Sequence, residues 1–402
     1  MGIFNTPHDV TTPDDRLPRN VWALSWVSFF NDTATEMSYW LLPQFLVGML
    51  GAGPMVFGLI EGAAETVSSF ARLLSGWLSD RFRTRKPLVV AGYTAANIVK
   101  PFLAVATSWG QVFWIRFTDR AAKGFRGAPR DALLADSVSP SQRGSAFGLR
   151  QAMDTAGALL GPLAALALLP VFSGKVRAVF WLAAIPGAVA ILLAWLAVSE
   201  VGRVGAVREP PLHVDRVVRE LPRSSVWNHR LTLMMVAVGM FSLGNSSDLF
   251  LILRAQNLGI RAALAPGLGL VFNLVYTSLS WPAGKLSDRV SRRLLVALGY
   301  FIYGAVYLGF ALCRGPQLVW VLFGVYGMYY ALTEGVLRAW IADLVPSASR
   351  GSVYGVFNGL AGVAAFPASV LAGWLWRHFS PATPFFVSAL LSCAAAAVLL
   401  LA

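Results

Sequence analysis

Between residues 115 and 137 the chain reads IRFTDRAAKGFRGAPRDALLADS, which sets Arg116, Asp119, Arg120, Lys123, Arg126, Arg130, Asp131 and Asp136 in one short stretch. Interleaved acids and bases suit two kinds of chemistry: relaying protons and holding a charged solute. Loss of water favours the protonated form of a carboxylate, and a neighbouring cation opposes this. The balance of the two can set titration near working pH. Further groups of the same kind lie at helical spacing. Asp32 and Glu36 are one turn apart, as are Glu61 and Glu65, and Arg150 and Asp154 stand four apart, the distance of an ion pair on a helix. The second half of the chain is sparser, with Asn245, Asp248, Arg254, Asn273, Tyr276, Glu334 and Arg338.

The elements that must position these groups are very apolar. Of 402 residues, 56% are hydrophobic and 13% charged, and mean hydropathy is +0.61. A soluble domain carries about 25% charge, so polar surface is too scarce to cover a globule in water and lipid is the natural solvent. Runs such as 178–198, 294–313 and 385–402 are long enough for a bilayer core of about 30 Å. Backbone in lipid must satisfy its own hydrogen bonds, so the runs are helices; the short alternating segments of a membrane barrel are absent. The net charge of +13 lies at the ends of apolar runs, which argues against a nucleic-acid surface. Cys313 and Cys393 give neither a disulfide framework nor a metal-binding spacing. No catalytic histidine, nucleophile–base set, phosphate loop or metal-ligand motif lies in the runs, so neither an enzyme nor a cofactor is expected.

Twelve helical spans are predicted, at 21–50, 54–79, 87–108, 110–136, 144–170, 178–199, 231–257, 264–286, 293–313, 316–343, 350–376 and 382–402. Arg81, Arg83, Arg85, Lys86, Arg143, Arg289, Arg292, Arg293 and Arg350 fall in loops on one side, with Arg16, Arg19 and the arginines of 203–230. The other side holds only Lys175, Arg177, Arg261, Arg314 and Arg377. Positive charge marks the cytoplasmic side, which places both termini there.

The chain also repeats itself. GWLSDRFRTRK from Gly76 matches GKLSDRVSRR from Gly284, and ADSVSPSQRGSAFG from Ala135 matches ADLVPSASRGSVYG from Ala342. A tail (1–20), a six-helix bundle (21–199), a linker (200–230) and a second six-helix bundle (231–402) follow. The expected fold class is an all-α membrane protein of two pseudo-symmetric bundles. Repeats of this kind point to alternating access around a midplane site.

GWLSDR and GKLSDR, each between the second and third span of its half, resemble the signature loop of the major facilitator superfamily, G-x-L-x-D-R-x-G-R-R. Both copies depart from it, with Arg83 then Thr84 in one and Ser291 in the other where glycine is usual. The resemblance implies a gate made by Gly76, Asp80 and Arg81 and by Gly284, Asp288 and Arg289. In it, Asp80 would meet a helix start near Ser352 and Asp288 one near Ser145, where the helix dipole is positive. Gly148, Gly157, Gly161 and Pro162 resemble the antiporter motif of drug–proton exporters, although Ala165 and Leu166 replace its last glycines. FFNDTATEMSYWLLPQFL, GLIEGAAE and KGFRGAPRDALLADS resemble a bacterial branch that includes nickel-resistance permeases, which implies efflux, with a divalent cation as one candidate cargo.

Turned 100° per residue, the fourth span gathers its charges within an arc of about 140° around Arg116 and leaves Trp114, Phe117, Ala121 and Phe125 opposite. Charges at a bilayer centre face a protein interior. Asp32, Glu36, Glu61 and Glu65 are the expected proton carriers, with Arg116 as partner. Asp119, Arg120, Lys123, Arg150, Asp154, Asn245, Asp248, Arg254 and Glu334 are expected along the same proton and substrate pathway. The alternative is a set of interhelical ion pairs that only fix register. Nickel favours imidazole, and His8, His213, His229 and His378 lie in the tail, the loops or at a span end. An anionic or zwitterionic organic solute, a lipophilic drug and a non-transporting sensor remain open. The expectation is a monomeric, proton-coupled exporter of a small solute in a bacterial inner membrane.

Overall fold

The computed structural model describes residues 17–82, 84–139, 142–201, 228–287, 289–345 and 350–401. The first half of the chain forms α1 (Arg19–Tyr39), a π-helical turn (Gln44–Met49), α2 (Pro54–Phe82), α3 (Lys86–Val99), a 3-10 turn (Lys100–Ala104), α4 (Trp109–Asp136), α5 (Arg143–Val171), α6 (Val176–Leu182) and α7 (Ala184–Leu196). The second half forms α8 (His229–Gly244), α9 (Leu249–Asn257), a 3-10 turn (Ala262–Leu264), α10 (Ala265–Ser287), α11 (Arg292–Leu312), α12 (Gln317–Leu344), α13 (Arg350–His378) and α14 (Thr383–Leu401). No strand occurs among the described residues.

Local chemistry sets several of these boundaries. Ser108 caps α4, its hydroxyl accepting from the Gln111 amide at 3.4 Å, and Asn228 caps α8 through the Leu231 amide at 2.8 Å. The Glu200 carboxylate accepts from the Arg85 and Lys86 amides at 2.7–3.1 Å, which puts an anion at the start of α3. Gly174, at φ 77°, turns the chain after α5, in the left-handed region that glycine enters without strain.

By length and composition seven helices suit a membrane crossing, or eight when α8 and α9, bent by 41°, are taken as one span. The helices α1, α2, α4 and α12 have spanning length with more polar and charged residues. The predicted continuous helix over 231–257 is broken at 245–248, where Asn245, Ser246, Ser247 and Asp248 interrupt the apolar pattern. Their side chains compete for backbone partners and disfavour helix.

α2 packs on α4 and α13, α1 on α5 and α7, α3 on α4 and α7, α10 on α12 and α5, and α11 on α12 and α14. The halves of the chain therefore meet along two main seams, α2 with α13 and α5 with α10. The internal repeat is visible in atoms. Arg85 pairs with Asp136 and donates to the Ala132 carbonyl at 2.8 Å; Arg292 pairs with Asp343 at 2.6 Å and donates to the Ala339 carbonyl at 2.9 Å. Both arginines reach across the same sequence separations, 47 residues to the carbonyl and 51 to the carboxylate.

Candidate functional site

A cavity of about 510 Å³ lies where α1, α2 and α4 face the α8–α9 break, α10, α12 and α13. Its first wall carries Glu36, Glu65, Arg72, Arg120 and Lys123; its second carries Asn245, Asp248, Asn273, Tyr326, Tyr330 and Asn358. The size suits a small organic solute.

Each charged group is held differently. Trp40, one turn after Glu36, donates its indole N–H to Glu36 Oε2 at 2.8 Å. Arg120 Nε lies 3.4 Å from Glu65 Oε1 and its guanidinium sits over the Tyr39 ring, which Arg116 shares, both at 5.7 Å. Asp248 begins α9 and accepts from the Tyr326 hydroxyl at 2.6 Å and the Tyr330 hydroxyl at 3.0 Å. Among the described residues, Arg72, Lys123, Glu36 and Asp248 take part in no ion pair.

A second layer of charge lies behind the first wall. Glu61 and Arg116 form a bidentate pair, and Ser247 in the α8–α9 break donates to Glu61 Oε2 at 3.3 Å. Asp119 sits 3.8 Å from Arg116 and 3.6 Å from Lys100, whose ammonium also donates to Asn97 Oδ1 at 3.1 Å. All four ionic side chains of this chain of contacts are buried. Buried charges are tolerated only when paired in this way. A small cavity of about 20 Å³ beside Lys100, Arg116 and Asp119 has room for a water molecule.

The predicted residues thus divide. Glu36, Glu65, Arg120, Lys123, Asn245 and Asp248 line the cavity, while Glu61, Arg116 and Asp119 lie behind it. Asp32, Arg150 and Asp154 belong to the α1–α5 region outside the lining; Asp32 accepts from Asn31 at 3.0 Å and Arg150 pairs with Asp154. Glu334 accepts from Tyr276 at 2.6 Å and lies 3.4 Å from Arg338, also outside the lining. Arg254 is not brought to the cavity. It donates to the carbonyls of Phe310, Ala311 and Cys313 at 3.1–3.4 Å and to Asn257 at 2.6 Å, closing the end of α11.

Gly157 and Gly161 pack α5 onto α1. A Cβ on Gly161 would sit 2.6 Å from Glu36 Cβ and 2.8 Å from the Thr33 carbonyl. Pro162 follows within α5. Gly76 packs toward Ala128, while Gly284 faces open space and Arg289 is exposed. Asp288 and the side chains of Asp80, Arg81, Ser145 and Ser352 lie outside the described residues, and the expected gate contacts with them.

The two ends of the cavity differ. Toward the start of α2 the seam is tight: Gly58 lies against the Ser369 backbone, Gly373 against Pro54, and the Trp40 indole rests on Gly269 and stacks edgewise near Phe323. Toward the end of α2, Arg72 and Leu73 are exposed, and nothing stands within 4 Å of a Cβ placed on Gly355 or Gly359. Sequence reasoning missed Tyr326, Tyr330 and Asn358. Tyr326, Tyr329 and Tyr330 share one helical face, a spacing that carried the signal.

Long apolar helices around a central charged cavity, closed at one end and open at the other, define a multi-pass integral membrane transporter. Residues 24–368 match the model of the Major Facilitator Superfamily, and the chain belongs to that superfamily, whose members are transporters and not enzymes. It is 32% identical over 399 residues to an uncharacterized MFS-type transporter of Methanocaldococcus jannaschii, covering 96% of each chain. It is 24% identical over 349 residues to the multidrug resistance protein MdtH of Cronobacter sakazakii, covering 82% of this chain and 80% of that protein. Its fold matches a bacterial homolog of the human lysosomal transporter Spinster, in an inward-facing and unoccupied conformation, with a TM-score of 0.73 at 15% identity over 96% of each chain.

Proposed function

We propose that this chain is a proton-coupled secondary transporter that exports a small organic solute across a bacterial inner membrane. In this reading twelve spans form two six-helix bundles, 21–199 and 231–402, with both termini in the cytoplasm and the bundles rocking about the cavity. The observation that carries the reading is the cavity itself. It lies between the two halves, is open at one end only, and exposes a carboxylate, Glu36, that no cation pairs with among the described residues. The open end lies where α2 finishes, which the arginine-rich loops assign to the cytoplasm. A cavity loading from that side suits efflux, and so does the multidrug relative. Glu36 takes the proton-carrier role, and the Glu61–Arg116–Ser247 contacts connect the first half to the second.

The nickel reading gains no support. Neither relative named above carries a nickel-permease name, and among the described residues no group of three or more His, Cys, Asp or Glu is gathered as metal ligands.

Proteoliposomes with a trapped pH dye and an imposed gradient test the proposal. Organic anions, zwitterions and lipophilic cations are added in turn. Solute-triggered proton movement that is lost in Glu36→Gln establishes coupled exchange. Solute flux that is indifferent to the gradient and to Glu36→Gln removes proton coupling from the reading. Binding without any flux favours a sensor.

A further inference from the structure

The cavity separates charge between the two halves of the chain. On the first wall three cations, Arg72, Arg120 and Lys123, stand with two carboxylates, Glu36 and Glu65. Glu65 pairs with Arg120, Glu36 accepts from the Trp40 indole, and Arg72 and Lys123 lie outside any ion pair among the described residues, so the wall is net positive whether Glu36 is ionised or protonated. On the second wall, the only carboxylate among the described lining residues is Asp248, and no Lys, Arg or His stands beside it in the lining. Tyr326 and Tyr330 each donate to one Asp248 oxygen, and a carboxylate oxygen has a further lone pair to offer. The two tyrosines belong to an aromatic cluster. Tyr330 meets Phe272 edge to face at 5.2 Å and Tyr326 at 5.4 Å. A carboxylate beside an aromatic cluster is an environment that attracts an organic ammonium group.

We infer that the cavity takes an organic zwitterion, its ammonium end at Asp248 and its carboxylate end at Lys123 and Arg72. This rests on the transporter reading only for the step of translocation; the recognition stands on the charge layout. A solute with a single negative charge would meet Asp248 on the far wall, and one with a single positive charge would meet the net positive first wall, where Arg72 and Lys123 outnumber Glu36. Each mismatch desolvates a charge without a partner, which is how a site rejects near analogues. A zwitterion satisfies both walls at once. It also ties the halves together, because its ends are held by helices from opposite sides of both seams.

The test uses the full-length purified protein in nanodiscs and matched triads of probes. Each triad comprises an aryl or alkyl amino acid, its N-acetyl anion and its amide cation, over a range of side-chain sizes. Binding is read by thermal shift and calorimetry. The expected result is at least one triad in which the zwitterion binds about tenfold or more tighter than both relatives. Asp248→Asn, which keeps an acceptor oxygen for one tyrosine and offers an N–H to the hydroxyl oxygen of the other, is expected to bring the zwitterion down to the level of its N-acetyl form. Lys123→Gln is expected to bring it down to the level of its amide. Equal binding of a singly charged member in the wild type, a preference unchanged by both variants, or no binding by any triad overturns the inference. Flux assays on the same preparations separate it from the transporter reading. Coupled flux of a singly charged solute leaves transport standing and removes the zwitterion; selective zwitterion binding without flux does the reverse.

Discussion

Arg116 grips Glu61 with two parallel hydrogen bonds, Nε to Oε1 at 2.9 Å and Nη2 to Oε2 at 2.7 Å, and both side chains are buried. The fork geometry matches a guanidinium to a carboxylate, the strongest arrangement such a pair adopts. Removing one partner strands the other charge away from water, at a cost of about 3–5 kcal/mol. Arg116→Ala and Glu61→Ala are each expected to lower the thermal midpoint sharply in detergent. Replacing both by leucine is expected to recover much of the loss, since apolar residues often fill such sites without penalty. A double-mutant cycle by thermal unfolding measures this. Additive losses would show that the two side chains do not act as a unit.

The repeated pairs Arg85–Asp136 and Arg292–Asp343 have the same chemistry in a wetter place. The side chains of Asp136 and Asp343 are 35% and 58% exposed. Exposed ion pairs contribute about 0–1 kcal/mol. Asp136→Asn and Asp343→Asn are therefore expected to leave the thermal midpoint nearly unchanged, in contrast to Glu61. A large loss in either variant would mean that the pair is shielded from solvent as the deep one is.

How much of this was legible in the sequence depends on what each residue touches. The charges of α1, α2 and α4 recur at helical spacing, so their common inward face could be read directly, and Glu36, Glu65, Arg120 and Lys123 do share one wall. The span predicted at 110–136 starts within a residue of α4, which Ser108 caps. The break at 245–248 was hidden, because Asn, Ser and Asp occur both inside spans and at their interruptions. Arg254 was read into the pathway because its partners are backbone carbonyls of Phe310, Ala311 and Cys313, which leave no mark in sequence. Tyr326 and Tyr330 share the spacing of packing aromatics in sequence, and only their hydroxyl contacts to Asp248 set them apart.

The Arg254 geometry makes its own prediction. Helix ends leave carbonyls without partners, and this guanidinium serves three of them at the end of α11 from a buried position. Arg254→Ala is expected to cost about 1–3 kcal/mol through these orphaned acceptors. Transport per folded molecule is expected to keep the wild-type KM. A changed KM at wild-type stability would return Arg254 to the solute pathway.

The α2–α13 seam depends on a residue without a side chain. A Cβ on Gly62 would stand 3.0 Å from both the Cα and the carbonyl oxygen of Phe366. Backbone cannot turn aside as a long side chain can, so Gly62→Ala wedges the two halves apart at the closed end. The expected outcome is a shift toward the state open at that end, with the fold retained. Labelling of single cysteines introduced at Met55 and Ala372 reads it: both should become more reactive to a membrane-impermeant reagent. Unchanged labelling would mean that the seam absorbs the methyl group by local adjustment.

Ser247 joins the deep ion pair to the same seam. Its hydroxyl donates to Glu61 Oε2 at 3.3 Å, and its amide donates to Ser369 Oγ at 3.3 Å, so one residue of the α8–α9 break touches both α2 and α13. Opening the closed end requires the halves to separate, which breaks the contact to Glu61, while the Arg116–Glu61 pair lies wholly within the first half and survives. Ser247→Ala removes the hydroxyl without disturbing that pair. A hydrogen bond to a charged group contributes about 1.5–3 kcal/mol, and at 3.3 Å the lower end applies. The closed state should therefore lose roughly tenfold in population, since about 1.4 kcal/mol corresponds to a factor of ten. The same cysteine labelling, run on Ser247→Ala and on Ser247→Thr, decides the matter. Thr retains the hydroxyl and is expected to stay near wild type. If Ala and Thr label alike, the link from Ser247 to Glu61 does not hold the closed end.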